Sequence, residues 1–184
     1  NLTVTGDTSN TGYGFRIYDS DGNEMHDSTI TSLRPVISLD DSDNSLISDT
    51  YLQAPTSYHA LLYSNGGSMT FRNVTYDRTP SIYFDDTDSN ATLTIEEYVE
   101  VNVTNQTGIM LNQSTIYGNS SNESVSTSET SDGISLTRLT VQTKWQNRTL
   151  THLYNNYTVN ATRVGYFANW TSVNVTNSTR YTGT

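Results

Sequence analysis

The chain has 184 residues, enough for one well-buried core and short for two comfortable domains. Nineteen acids against nine bases give a net charge of -10, and Lys144 is the only lysine. No basic stripe exists to follow phosphates, which excludes nucleic-acid binding, and the lack of any cysteine excludes disulfides and thiol chemistry.

In chain order, short alternating segments bounded by turn residues predict strands over 2–5, 13–19, 29–39, 46–53, 58–64, 68–76, 81–84, 92–103, 109–117, 134–145, 149–159, 164–170 and 173–180. Residues 95–101 are the best candidate for a helix and still read as strand. Asp-, Asn- and Gly-rich turns at 19–23, 40–44, 65–67 and 85–90 separate these runs. Two of the Asp-rich turns look alike, but their flanking strands do not match, so no internal repeat is read. The stretch 118–133 holds Val125 as its single apolar side chain and reads as a long exposed low-complexity loop rich in Ser, Thr and Asn. The expected fold is all-β: a two-layer antiparallel β-sandwich, immunoglobulin-like or jelly-roll-like. It forms a single domain over 13–184, with 1–12 as an N-terminal extension. No leader, lipid-attachment motif or apolar membrane-crossing run is present, so the chain reads as a mature form or as part of a longer precursor, without direct membrane insertion.

The strongest chemical signal is fourteen Asn-x-Ser/Thr triplets, at Asn1, Asn73, Asn90, Asn102, Asn105, Asn112, Asn119, Asn122, Asn147, Asn156, Asn160, Asn169, Asn174 and Asn177. Chance at this composition would supply about five or six, so many of these asparagines are expected to carry N-linked glycans and the protein to work outside the cytoplasm. The middle residue is often apolar, as in Tyr157, Ala161 and Val175. On a strand this sends the asparagine and the hydroxyl to solvent and the middle residue to the core. Along 156–162, Tyr157, Val159 and Ala161 are expected inside, and Asn156, Thr158, Asn160 and Thr162 outside. Between 3 and 72 there is no sequon at all.

Other chemistry is sparse. Asp19, Asp21, Asn23 and Asp27 resemble the start of a calcium loop, yet Glu24 stands where such a loop needs glycine and Ile30 where it needs a bidentate glutamate. A solvated turn is preferred there, and apart from the glycans no cofactor or resident metal is expected. His26, His59 and His152 share no motif and read as surface or strand residues, and Glu96 and Glu97 would face opposite sides of a strand. No enzyme is read from this sequence. The C-terminal aromatics Trp145, Tyr154, Tyr157, Tyr166, Phe167 and Trp170 are expected to pack in the core, with an exposed carbohydrate-binding row as the alternative.

In its sequons, such as Asn102-Val103-Thr104, its tyrosine richness, its lack of cysteine and its β alternation, the chain resembles glycosylated archaeal extracellular filament subunits of the pilus or thread kind. It lacks the long apolar N-terminal helix of archaeal type IV pilins and archaellins. The resemblance implies a structural cell-surface subunit that self-associates into a homopolymer by β-strand donation. Residues 1–12 would then be the donor strand, with Leu2 and Val4 filling pockets of the next subunit. The alternative is a glycan-shielded adhesin or viral receptor-binding module, with the bare interval 3–72 facing a surface or host ligand.

Overall fold

The computed structural model describes residues 3–5, 12–63, 67–85, 90–121, 126–175 and 181–183. Contacts divide the chain into two compact units, Asn1–Ile95 with Trp145–His152, and Glu96–Lys144 with Leu153–Thr184. All regular structure among the described residues is β.

The first unit is a β-solenoid. After β1 (Thr3–Thr5), one coil holds β2 (Phe15–Tyr18), β3 (Glu24–His26) and β4 (Thr29–Thr31), and the next holds β5 (Ile37–Asp40), β6 (Ser42–Ser48) and β7 (Tyr51–Gln53). A third holds β8 (Ala60–Leu62), β9 (Gly67–Arg72) and β10 (Thr75–Tyr76), after which come β11 (Ile82–Phe84) and the start of β12 (Thr92–Val101). Strands do not pair with their sequence neighbours. Each pairs in parallel with its counterpart one coil away, giving sheets β1-β4-β7-β10, β2-β5-β8-β11, and a third in which β3, β6 and β9 lie side by side. Coils advance by 22 to 24 residues, as Phe15 pairs with Ile37, Ile37 with Ala60, and Leu46 with Thr70.

Register builds the core as columns of like side chains. Ile17, Leu39, Leu62 and Phe84 form one, Met25, Ile47 and Phe71 a second, and Ile30, Leu52 and Tyr76 a third. Ile30, Ile47, Leu52, Leu62 and Phe71 have no exposed surface. One apolar position per strand face, repeated each coil, suffices to bury a continuous core by stacking.

The corners explain why the chain bends where a sandwich would reverse. Asp27, Asp49 and Asn73 occupy equivalent corners with φ of 49°, 48° and 52°, and Asp19 and Asp41 do so at another with 48° and 50°. Asp and Asn tolerate this left-handed conformation through local hydrogen bonding. A single such residue swings the chain onto the next face without the two-residue turn that would fold it back as a hairpin.

The antiparallel sandwich expected from sequence is therefore corrected to stacked parallel coils. Period-two alternation tells which side of a strand is buried, not which strand lies beside it. The donor-strand expectation is corrected with it. β1 pairs in parallel with β4 of its own chain, Val4 opposite Ile30, while Leu2 lies outside the described residues. The repeat missed in the sequence is carried by the corner residues, since the turns at 19–23 and 40–44 are equivalent positions of successive coils.

The second unit contains an antiparallel sheet with strand order β14-β13-β17-β18: β13 (Asn112–Ser120), β14 (Ser126–Asp132), then, after β15 (Thr137–Gln146) and β16 (Thr151–Leu153), β17 (Asn156–Thr162) and β18 (Asn169–Asn174). A last strand, β19 (Tyr181–Gly183), runs parallel to the end of β12. Ile116, Leu139, Val141, Tyr157 and Val159 are buried in this unit, and the Tyr157 hydroxyl donates to the Gln142 carbonyl at 2.6 Å. Burial pushes that phenol up to about 12. The expected loop over 118–133 is corrected as well, because most of it forms the paired strands β13 and β14. Threonine and serine fit a strand whose outer face meets water, and Ser131 on the inner face is satisfied by donating to the Leu111 carbonyl at 2.6 Å.

Candidate functional site: an asparagine-bearing sheet face

The antiparallel sheet of the second unit gathers several sequon asparagines on its outward face. Pairing places Asn156 opposite Asn174, Asn119 opposite Thr158, and Asn160 between Tyr117 on β13 and Trp170 on β18. Directly opposed residues on antiparallel strands share a face. Asn119, Asn156, Asn160 and Asn174 therefore project together from three neighbouring strands spaced about 4.8 Å apart. Asn119, Asn156 and Asn174 are exposed and Asn160 is half-buried, while Tyr157 and Val159 are buried behind them. The alternation in burial expected along 156–162 holds over 156–159, whereas Asn160, Ala161 and Thr162 are all half-buried.

Two further sequons line a cleft within the same unit. This cleft of about 160 Å³ is lined by Asn102, Val103 and Thr104 and by Asn169, Trp170 and Thr171, together with Tyr166 and Phe167. Arg163 stands 5.2 Å from the centre of the Tyr166 ring and donates to Asn112 Oδ1 at 3.1 Å. Of the aromatics expected in the core, Tyr154 and Tyr157 are buried. Tyr166, Phe167 and Trp170 are corrected to exposed positions, with Phe167 fully exposed and Trp170 69% exposed.

Two sequons fold into the same tight turn. Asn105 Oδ1 accepts from the Thr107 N–H at 3.0 Å and from the Thr107 hydroxyl at 2.8 Å. Asn147 Oδ1 accepts from the Thr149 N–H at 2.9 Å and from its hydroxyl at 3.3 Å. Each brings the acceptor amide and the hydroxyl of one sequon together in an Asx-turn. Asn90 is exposed before β12, and Asn1, Asn122 and Asn177 lie outside the described residues.

Asn73 is different. It occupies a left-handed solenoid corner, and its Nδ2 donates to Asp49 Oδ1 at 2.6 Å, one coil away. The amide nitrogen that would bear the sugar is thereby committed to holding two coils in register. Peptide mapping of the native protein is expected to show Asn119, Asn156 and Asn174 modified and Asn73 bare. A fully occupied Asn73 would show that the corner bond is dispensable.

The four calcium candidates are only partly brought together. Asp19, Asp21 and Asn23 share one corner, where Asp21 Oδ1 accepts from the Asp43 N–H at 2.7 Å, whereas Asp27 sits at the next corner beyond β3. Among the described residues no group of three or more His, Cys, Asp or Glu is placed to hold a metal ion. His59, read from sequence as a strand or surface residue, is fully buried with Nε2 at 2.7 Å from Asp77 Oδ1, and its Nδ1 accepts from the Ser81 N–H at 3.1 Å. Its only sequence signal is a polar residue beside an apolar run, which does not distinguish buried from exposed histidine.

No family model, curated protein or solved structure matches this chain. Among the described residues no helix is long and apolar enough to cross a membrane.

Proposed function

We propose that the chain is a non-enzymatic structural subunit of an extracellular surface filament, coated by N-glycans and associating with further copies of itself through the bare coils of its solenoid. The observation that supports this reading is the segregation of acceptors. Sequon asparagines crowd the outward face of the antiparallel sheet, whereas none lies in 12–63 or 67–72, the coils built on β2 to β9. Bulky solvated sugars prevent close approach, so the uncoated coils are where subunits meet. Strand donation has no part in this, since β1 is engaged within its own chain.

Negative-stain microscopy of native material is expected to show regular fibres. Dispersed particles with affinity for a surface ligand would replace this reading with the adhesin. A sharper test places a sugar on the bare coils. Tyr18 is 60% exposed, and Tyr18→Asn creates a new sequon with Ser20. Once mass analysis shows the new site occupied, fibres should be lost while the monomer stays folded. Unchanged fibres would remove the coils from the contact.

A further inference from the structure

Asn160 differs from its neighbours on the sheet face because it lies in one cross-strand row with two aromatic side chains, Tyr117 on one side and Trp170 on the other. Both rings are exposed, at 43% and 69%, although aromatic side chains are costly to leave in water. The Asn160 Oδ1 atom is buried and has no hydrogen-bond partner among the described residues. Asn160 is thus half-buried in the row between the two aromatic residues and carries an unsatisfied acceptor, an arrangement that a bare asparagine does not explain.

We propose that Tyr117 and Trp170 form an aromatic clamp for the first sugar of an N-glycan carried by Asn160. This rests on the glycoprotein reading above and adds to it what the sugar does once attached. The flanking strands lie two spacings apart, about 10 Å, comparable with two ring-stacking distances. One pyranose ring fits between them with its C–H faces against the π systems. Hydroxyl groups at the sugar's edge remain available for polar contacts with water and neighbouring side chains. A free saccharide has the same chemistry, but a sugar linked to Asn160 is held at high effective concentration between the rings and excludes it. The glycan then lies down across β13, β17 and β18 and shields both rings, instead of standing away from the sheet.

The test uses the glycosylated protein and a Trp145→Phe background, so that Trp170 is the sole tryptophan emitter. Thr162→Ala abolishes the sequon while leaving Asn160 in place, and Thr162→Ser restores it. Acrylamide quenching of Trp170 is expected to rise about two- to tenfold in Thr162→Ala and to return to the parent value in Thr162→Ser, in keeping with the loss of one ring contact. In the same background Tyr117→Ala should speed enzymatic release of the Asn160 glycan from the folded protein by about two- to tenfold, without changing release at Asn156. An occupied Asn160 with equal quenching in the parent and Thr162→Ala would overturn the clamp. An unoccupied Asn160 beside modified Asn119 and Asn156 would overturn the clamp and leave the glycoprotein reading intact. Quenching relieved by added free saccharide in Thr162→Ala, with Asn160 unoccupied in the parent, would assign the rings to an external sugar instead. A chain without sugar at any asparagine would overturn both readings.

Discussion

Phe71→Ala is expected to destabilise the solenoid by about 3–5 kcal/mol. Phe71 is fully buried, stands in one column with Ile47 and Met25, and packs with its ring 6.5 Å from that of Tyr76. Truncation removes the apolar contacts of a whole ring, and the stacked backbone above and below cannot collapse into the space, because the coils are fixed by their parallel hydrogen bonds. The loss falls on both interfaces of one coil, and coil stability depends on nearest neighbours. Domains of this size have only about 5–15 kcal/mol in total, so the variant sits near the limit of folding. Urea unfolding followed by circular dichroism checks this, with Tyr83→Ala at a 43% exposed position as the control. A loss below about 1 kcal/mol, the range of ordinary surface substitutions and mild repacking, would show that the column is not continuous.

Asp77→Ala should cost about 2–4 kcal/mol, because two buried donors lose their acceptor at once. The His59 ring donates from Nε2 to Asp77 Oδ1 at 2.7 Å, and the Ala54 N–H donates to the same oxygen at 3.2 Å. The tautomer follows from the other ring nitrogen, which accepts from the Ser81 N–H and so carries no proton of its own. Burial raises the Asp77 carboxyl, but the bonds from His59 and Ala54 and the nearby Arg78 guanidinium outweigh it and hold the group below its ordinary value of 3.8. A carboxyl lowered in the folded state contributes its full stabilisation above the ordinary value, and that contribution fades as pH falls through the folded value. Asp77→Asn keeps an acceptor oxygen but cannot titrate. It should therefore lose less stability than alanine at pH 7 and show a flatter decline below about pH 4. An acid limb as steep in Asp77→Asn as in the parent would mean that other carboxylates govern it.

Local structure was legible in the sequence to the extent that it depends on neighbours along the chain. The alternation at 156–159 and the strand character of 95–101 follow from period-two patterning, and the Asp-rich turns from residues that accept left-handed φ. Pairing was not legible. A strand such as β6 exposes the same alternation whether its neighbour runs parallel or antiparallel. The one sequence trace of stacked coils is the spacing of Asp27, Asp49 and Asn73, blurred because one interval is two residues longer than the other. Apolar identity drifts along each column, as from Met25 to Ile47 to Phe71, so the repeat leaves no matching letters. The sheet face was half legible: alternation told which way Asn160 points, but only register reveals that Tyr117, forty-three positions earlier, stands beside it. The exposed rings of Phe167 and Trp170 were misread because composition alone cannot separate aromatics that fill a core from aromatics left on a connection or an edge strand.

Because each coil of the solenoid meets only the coil above and the coil below, its length is a free variable of evolution. Duplicating one 22-residue turn, from a residue such as Phe15 to the one before Ile37, would insert a new layer whose corners and apolar columns already match both neighbours. Lineages carrying this fold can thus lengthen or shorten it in steps of one layer, about 4.8 Å each, as on a ratchet. The asparagine-bearing sheet need not change at all, so reach and coat can be selected separately.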